Sequence, residues 1–381
     1  MFMDFTLTEE QRDLQAMFRD FTDKEIRPRA KQMDETGEMD EELWGKMAEI
    51  GSFGITTPEE YGGAGMGIFE LVLAMEECVK GCGTIYNWLA SPNGHSSSCV
   101  LKFGTEEQKR KYVPPIVSGE EIGAFALTEP GAGSDAGSLM TKAVLEGDHF
   151  VINGSKTFIT WASRASRILT IARMIENGED KGYVAIIVPT KTPGLTTTEE
   201  HKMGLRGTPL NEVSYQDVVV PAENLLGKVG QGLEVALVGL NEVRTGCAAF
   251  AVGLAQEAID LAVKYSKERM QFGKRISQFQ NTQFVLAECQ TRVQAARLLV
   301  YQAASGLDAG NEDFTAPAMA KYYASEVCND VARKCLQVFG GYGYMKDYPI
   351  ERIYRDAKIA EIFDGTSEVQ KMLISKAMGV R

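Results

Sequence analysis

The sequence predicts an α+β fold in three consecutive blocks: an N-terminal helical domain, a middle antiparallel β-barrel or sandwich, and a C-terminal four-helix bundle. Three observations carry this. Apolar residues recur at helical spacing up to about residue 121. Short β-rich runs between turns then extend to about 228, and the helical period returns and holds to residue 381. The implied domains are 1–121, 122–228 and 229–381.

Thr8-Glu9-Glu10-Gln11 has the form of a capping box, in which two side chains satisfy the free amides of a helix start. Leu14, Met17, Phe18 and Phe21 follow on one face, and Leu43, Trp44, Met47 and Ile50 mark a second helix that stops at Gly51. Pro58-Glu59-Glu60-Tyr61-Gly62-Gly63 reads as a turn-rich loop before a helix from about Phe69 to Val79. One more helix is expected between Trp88 and Tyr112, with Thr105-Glu106-Glu107-Gln108 opening the next through a second capping box. In the middle block, runs such as Ile168–Ala172, Tyr183–Val188 and Tyr215–Val220 read as strands, and Gly147-Asp148 and Asn153-Gly154 as hairpin punctuation. No long helix separates these runs, so parallel βαβ units are excluded. The last block holds four helical stretches, about 230–271, 278–308, 314–339 and 348–379, joined by short glycine-containing links as in a bundle.

A formal charge of −12 argues against a nucleic-acid partner, which needs a basic face, but leaves room for an anionic small molecule held by a local Arg or Lys. The seven cysteines show no CxxC pairing and read as reduced core thiols of a cytoplasmic protein. His95, His149 and His201 stand far apart, so no metal site is expected. The N-terminus lacks the basic and apolar segments of a secretory leader, and no apolar run reaches bilayer length, so no membrane association is expected.

Five stretches can carry chemistry. Tyr354-Arg355-Asp356-Ala357 begins an amphipathic helix that is interrupted by Asp364-Gly365-Thr366-Ser367, a helix stop followed at once by a helix start. A carboxylate on such a break is either a rigidly aimed base or the closing residue of a turn. Leu127-Thr128-Glu129-Pro130-Gly131-Ala132-Gly133-Ser134-Asp135 can turn its amides toward an anion or a polar ring edge. It lacks the lysine of a phosphate-binding P-loop and the βαβ setting of a dinucleotide fingerprint. Alternation puts Phe158 and Thr160 on one strand face, where they either border a planar ring or pack in the core. Arg269 ends a helix beside Gln271 and Phe272 and is either a bidentate pyrophosphate ligand or a surface helix-end charge; Gln337 precedes Gly340-Gly341, a helix end that either admits close approach of a ligand or is an interhelix corner.

Taken together and in this order, these stretches resemble the acyl-CoA dehydrogenases, with Thr128–Ser134, Arg269–Gly273, Gln337–Gly341 and Tyr354–Ala357 through Thr366 carrying the likeness. It covers essentially the whole chain. The resemblance implies an acyl-CoA dehydrogenase-like fold, FAD bound without a Rossmann domain, and a homotetramer built as a dimer of dimers. Phe125, Leu127 and Thr128 would border the flavin, Gly133 would belong to the cofactor site, and Ser134 would meet the pyrophosphate or CoA. Phe158 and Thr160 would lie on the flavin's other side, and Thr366 and Glu368 would complete the cofactor site. Arg269, Gln271, Phe272, Gln337, Gly340 and Gly341 would reach the ADP half from a neighbouring subunit. Asn241 and Arg244 would position the thioester, Ser91, His95, Phe363 and Gly365 would line the substrate, and Trp88 would shape the acyl pocket. An electron-transferring flavoprotein would be the acceptor.

The chemistry implied is removal of the α-proton of an acyl-CoA by a carboxylate while the β-hydrogen leaves as hydride to flavin N5. The family most often places Glu before Gly-Thr; here it is Asp364, whose reach is about 1.5 Å shorter. Branches that carry the base before the bundle arginine have Glu where this chain has Val243, and Glu242 points elsewhere, one residue off around the helix. A shorter base fits an α-carbon that sits closer, as in a short, branched or alicyclic acyl group such as cyclohexanecarbonyl-CoA. Ser91 cannot replace the carboxylate that cyclic enoyl-CoA dehydrogenases carry there. The alternatives are an enoyl-CoA reductase running in reverse, a nitroalkane oxidase-like enzyme and a non-catalytic FAD scaffold.

Overall fold

Both capping boxes close. The Gln11 amide donates to Thr8 Oγ1 and the Thr8 amide to Gln11 Oε1, each at 3.1 Å, and Thr105 with Gln108 repeats the arrangement. These start α1 (Glu9–Phe21) and α7 (Glu106–Tyr112) in a computed structural model that describes residues 6–237, 240–311 and 313–380. The first five residues, which belong to the leader reading, lie outside the described residues. Between these helices come α2 (Arg27–Thr36), α3 (Glu41–Glu49), α4 (Ile68–Gly81), α5 (Ile85–Asn93) and α6 (His95–Phe103), and a short α8 (Pro114–Val117) follows. The single helix expected from Trp88 is two, because the chain breaks at Gly94. The start of α4 is capped from far away: Asp308 accepts from the Ile68 and Phe69 amides at 2.6 and 2.9 Å, which ties the N-terminal block to the bundle.

The middle block is one sheet of eight strands. They are β1 (Gly123–Ala126), β2 (Lys142–Glu146), β3 (His149–Thr160), β4 (Arg167–Glu176), β5 (Glu179–Pro189), β6 (Leu195–Glu199), β7 (Leu210–Pro221) and β8 (Leu225–Leu226). The order is β6-β7-β3-β2-β4-β5-β8, with β1 alongside β4. Most pairs are antiparallel as expected, but β4 runs parallel to both β1 and β2. Gly147-Asp148 makes the β2–β3 hairpin, whereas Asn153-Gly154 lies inside β3 at a register shift against β7 and makes no hairpin.

In the bundle, α9 (Gly232–Leu237) and α10 (Leu240–Glu268) precede a small hairpin of β9 (Met270–Gln271) and β10 (Lys274–Arg275). Then come α11 (Gln280–Asp308), α12 (Thr315–Phe339), α13 (Ile350–Ala357) and α14 (Ser367–Ala377). The fourth stretch is therefore two helices, parted by a 3₁₀ turn and Asp364-Gly365. The stretch Gly232–Glu268, which α9 and α10 share, is long and apolar enough by composition to cross a membrane, and 78% of its most apolar window is buried within the protein. α10 is a core helix. Gly253 lets α10 pass close to α4, since a Cβ there would lie 2.5 Å from the Glu76 carbonyl oxygen.

One hydrophobic core joins the three blocks. Trp88 is fully buried with centroids 5.5 Å from Trp44 and 6.2 Å from Trp161, and its indole donates to Thr208 Oγ1. It is a core residue that locks the end of β3 to α3 and α5, and its indole is satisfied there without a substrate. The edge-on contact with Trp44 adds about 0.5–1.5 kcal/mol beyond burial.

Candidate active site

Asp364 sits where the 3₁₀ turn Lys358–Glu361 gives way to α14. Its backbone is left-handed at φ 55°, and Gly365 follows at φ 90°. Asp tolerates that region better than branched residues do. Two donors hold the turn: Lys321 Nζ and Gln370 Nε2 bond the Gly365 carbonyl at 2.7 and 2.8 Å. Thr366 then caps α14 by accepting from the Val369 amide.

The Asp364 side chain accepts from the Tyr86 hydroxyl through Oδ2 at 2.6 Å. Phe250 and Phe363 each pack on the Tyr86 ring with centroids 5.0 Å apart, so the carboxylate stands at the edge of three aromatic rings. Burial pushes its proton affinity above the usual carboxylate range, against the pull of Tyr86, Lys321 and Arg244. Arg244 on α10 is buried, donates to Asn241 Oδ1 at 3.1 Å, and keeps Nε without a partner among the described residues. The charges acting on Glu242 are those of Lys102 and Asp308, which places this carboxylate apart from Asp364.

His95 opens α6 and stacks on Phe125 of β1, with centroids 4.4 Å and planes 12° apart. Burial lowers its pKa to about 4, and its Nε2 is buried with no partner among the described residues. It is therefore a neutral imidazole with one unused nitrogen. The Ser91 hydroxyl bonds the Gly123 carbonyl at 3.0 Å and meets Ser96 Oγ at 2.9 Å, which anchors α5 to β1.

On the sheet side, a buried ion pair sets the glycine-rich loop. Lys156 Nζ bonds the Leu127 carbonyl and Glu129 Oε1, both at 2.8 Å, and Glu129 also accepts from the Met140 and Thr141 amides. The Thr128 carbonyl receives the Thr157 amide at 3.0 Å, while Gly133 and Ser134 remain exposed. Phe158 is left-handed at φ 58° beside a register shift, with its amide on Glu200 Oε2 and its ring 62% exposed. That exposure removes the core-packing reading. Thr160 is half-buried on the same side of the strand.

A separate cavity of about 520 Å³ brings together Arg269, Gln271, Gln337, Gly340 and Gly341. The Arg269 guanidinium lies 5.2 Å from the Tyr342 ring centroid. Phe272 stands 91% exposed against Phe279 and does not line this cavity, and Glu368 is exposed on the first turn of α14. Lys321, Phe250 and the Glu129–Lys156 pair carried no local signal, because each acts through a partner distant in sequence. Gln370 reaches back five residues to the Gly365 carbonyl from a helix whose pattern does not mark it.

The sequence matches the acyl-CoA dehydrogenase N-terminal domain over residues 8–120, the middle domain over 124–218 and the C-terminal domain over 230–379. The chain belongs to the acyl-CoA dehydrogenase family. It is 44% identical to a short-chain specific acyl-CoA dehydrogenase of Clostridium acetobutylicum, over 98% of this chain and 99% of the relative. It is also 44% identical to a caffeyl-CoA reductase–Etf complex subunit of Acetobacterium woodii, over 97% and 98%. The butyryl-CoA dehydrogenase structure from Megasphaera elsdenii superposes with a TM-score of 0.94 at 39% identity, covering 99% of this chain and all of the other. Members of this family are FAD-dependent oxidoreductases acting on CH–CH bonds, and so is this enzyme.

The residues present fit that cofactor. The cavity at Arg269 offers a fork-shaped cation, two side-chain amides and glycine backbone to a phosphate-bearing group. Phe158 offers an uncovered apolar ring to a planar one.

Proposed function

We propose that the enzyme dehydrogenates an acyl-CoA thioester between its α and β carbons, with Asp364 as the base. The observation that carries this is the Asp364 carboxylate itself, half-buried, raised in proton affinity by that burial and tied to Tyr86 through one oxygen. An α-proton is a weak acid, so its removal needs a base of raised pKa and a polarised thioester carbonyl in a dry site. Arg244, with its unused Nε, and Asn241 orient the thioester, and neutral His95 beside Phe125 borders the acyl group. Bound FAD supplies the acceptor for the β-hydrogen, leaving as hydride. We assign Phe125, Leu127, Thr128, Phe158 and Thr160 to its ring. Ser134, Thr366 and Glu368 complete its site, and the Arg269–Gly341 cavity takes the ADP half from a neighbouring subunit of a homotetramer.

The short reach of Asp364 and the packed Tyr86, Phe250 and Phe363 rings beside it favour a short, branched or alicyclic acyl group such as cyclohexanecarbonyl-CoA. An electron-transferring flavoprotein is the acceptor proposed, since a close relative is named as part of an Etf complex. Seven unpaired buried thiols fit a reducing compartment, the cytoplasm. A second reading, reduction of an enoyl-CoA at the same site, draws on the relatives named caffeyl-CoA and acryloyl-CoA reductases. Protonated Asp364 would then return its proton to the α-carbon.

The test is the visible spectrum of the holoenzyme without oxygen, before and after cyclohexanecarbonyl-CoA, then butyryl-CoA. Bleaching of the oxidised flavin bands by the first and not by Asp364→Asn supports the whole reading. Bleaching by butyryl-CoA alone removes the alicyclic preference, and bleaching by neither removes the dehydrogenase direction.

A further inference from the structure

We infer that Tyr86 is a positioning residue that dedicates one oxygen of Asp364 to the substrate: its hydroxyl occupies Oδ2 and leaves Oδ1 as the proton acceptor. This rests on the proposed role of Asp364 as base. The bond, 2.6 Å from the Tyr86 hydroxyl to Oδ2, lies in the range of an O–H donor on a charged carboxylate. Among the described residues Oδ1 accepts no hydrogen bond, and no second partner of the Tyr86 hydroxyl is present.

The hydroxyl can aim because its ring cannot move. Tyr86 is 2% exposed, and Phe250 and Phe363 pack against it. A carboxylate on a single methylene otherwise turns broadly about its Cβ–Cγ bond and presents its two oxygens interchangeably. Lys321 and Gln370 fix the backbone beneath it, so its two side-chain torsions are the freedom left, and the Tyr86 bond restrains both. The device suits a short base. An Asp has little slack to recover a misplaced oxygen, whereas near-attack geometry is set to within an ångström or less.

The groups facing Asp364 are Tyr86 on α5, Arg244 and Cys247 on α10, and Lys321 on α12. Cys247 is buried and held as a neutral thiol by desolvation. Of these, Tyr86 is the one hydrogen-bonded to the carboxylate. Removing its hydroxyl therefore has two separable effects. The charged form loses a donor, so the proton is held more tightly, and the free oxygen loses its aim, so proton transfer slows.

The experiment compares wild type, Tyr86→Phe and Asp364→Asn as holoenzymes. The Asp364 carboxyl is titrated by infrared difference spectroscopy, with Asp364→Asn identifying its band, and flavin reduction by acyl-CoA is followed across pH. In Tyr86→Phe the carboxyl should titrate about 1 pH unit higher. The acid limb of flavin reduction should move with it, and the limiting rate should fall about tenfold with flavin content and acyl-CoA affinity kept. A difluorotyrosine at position 86, a stronger donor of the same shape, should move the titration the other way and keeps the test independent of how well Tyr86→Phe folds.

An unchanged carboxyl titration in both variants overturns the proposal. So does a lower rate with an unmoved acid limb, which marks a merely structural ring. If Asp364→Asn still reduces flavin at the wild-type rate, the base assignment fails instead, while the infrared titration still reads the Tyr86 bond directly.

Discussion

The Lys156 ammonium and the Glu129 carboxylate lie 2.8 Å apart, with side chains 0% and 6% exposed, and they join two stretches that the sequence marks separately. Glu129 belongs to the glycine-rich loop and Lys156 to the strand carrying Phe158. Burial alone would raise the Glu129 carboxyl. The bonds from Lys156, Thr141 and Met140 outweigh it and hold the group below the usual range. Its contribution to stability is thus present above the unfolded pKa and is lost as pH falls through the folded one. Lys156→Met should leave an uncompensated buried carboxylate and cost about 3–5 kcal/mol in urea unfolding. Flavin content should fall as the loop loosens. Adding Glu129→Gln should recover part of the loss, because the buried charge disappears while one of the Met140 and Thr141 amides keeps an acceptor. Equal stability of the single and double variants would show that the charge itself carries no weight.

How much of this was legible follows from how local each feature is. The capping boxes at Thr8 and Thr105 were readable because donor and acceptor lie three residues apart. Asp364 was readable for the same reason, as a helix stop and a helix start in one short run. Its partner Tyr86 is 278 residues away on an apolar helix, where nothing separates it from other core aromatics. Trp88 shows the converse: its place in the chain implied a pocket wall, and packing on Trp44 and Trp161 made it core. Alternation placed Phe158 and Thr160 on one strand face, but the register shift and the left-handed Phe158 backbone depend on β7 and Glu200. The parallel pairing of β4 with β1 and β2 likewise follows from sheet assembly, which no single strand encodes.

Asp356, in the Tyr354–Ala357 stretch, should shape the enzyme's stability against pH. It is 1% exposed, accepts from the Leu205 amide at 2.7 Å, and is pushed by burial up to about 6, against Leu205 and Arg352. An unfolded Asp ionises near about 3.9. Below that value the group is protonated in both states and costs nothing. As pH rises toward 6 the unfolded chain ionises first, so stability falls, and above the folded pKa the cost stays constant. Its size is roughly 3 kcal/mol, taking two pKa units at 1.36 each. Asp356→Asn keeps an acceptor for Leu205 and removes the ionisation. Its urea midpoint should therefore rise relative to wild type between pH 4 and 6 and hold level above. A constant difference across that range would show that Asp356 does not titrate there.

Gly365 should matter more to activity than to folding. At φ 90° it occupies a region that side chains rarely enter, and a Cβ there would stand 2.7 Å from Gln370 Nε2. That nitrogen is one of the two donors on the Gly365 carbonyl, so an added methyl strains the backbone and displaces part of its support. Gly365→Ala should lose about 1–3 kcal/mol in urea unfolding, the usual cost of a strained left-handed residue. The larger effect falls on the neighbouring Asp364. A base shifted by about 1 Å loses on the order of a hundredfold in rate. Flavin reduction, measured per bound flavin because Thr366 and Glu368 of the proposed cofactor site follow Gly365 closely, should therefore slow by much more than the stability loss implies. Lys321→Met, which removes the other donor to the same carbonyl, should slow the same step. Stopped-flow reduction rates for both variants, set beside their unfolding midpoints, decide it. A rate that falls only in proportion to unfolded protein would mean that the turn does not aim the base.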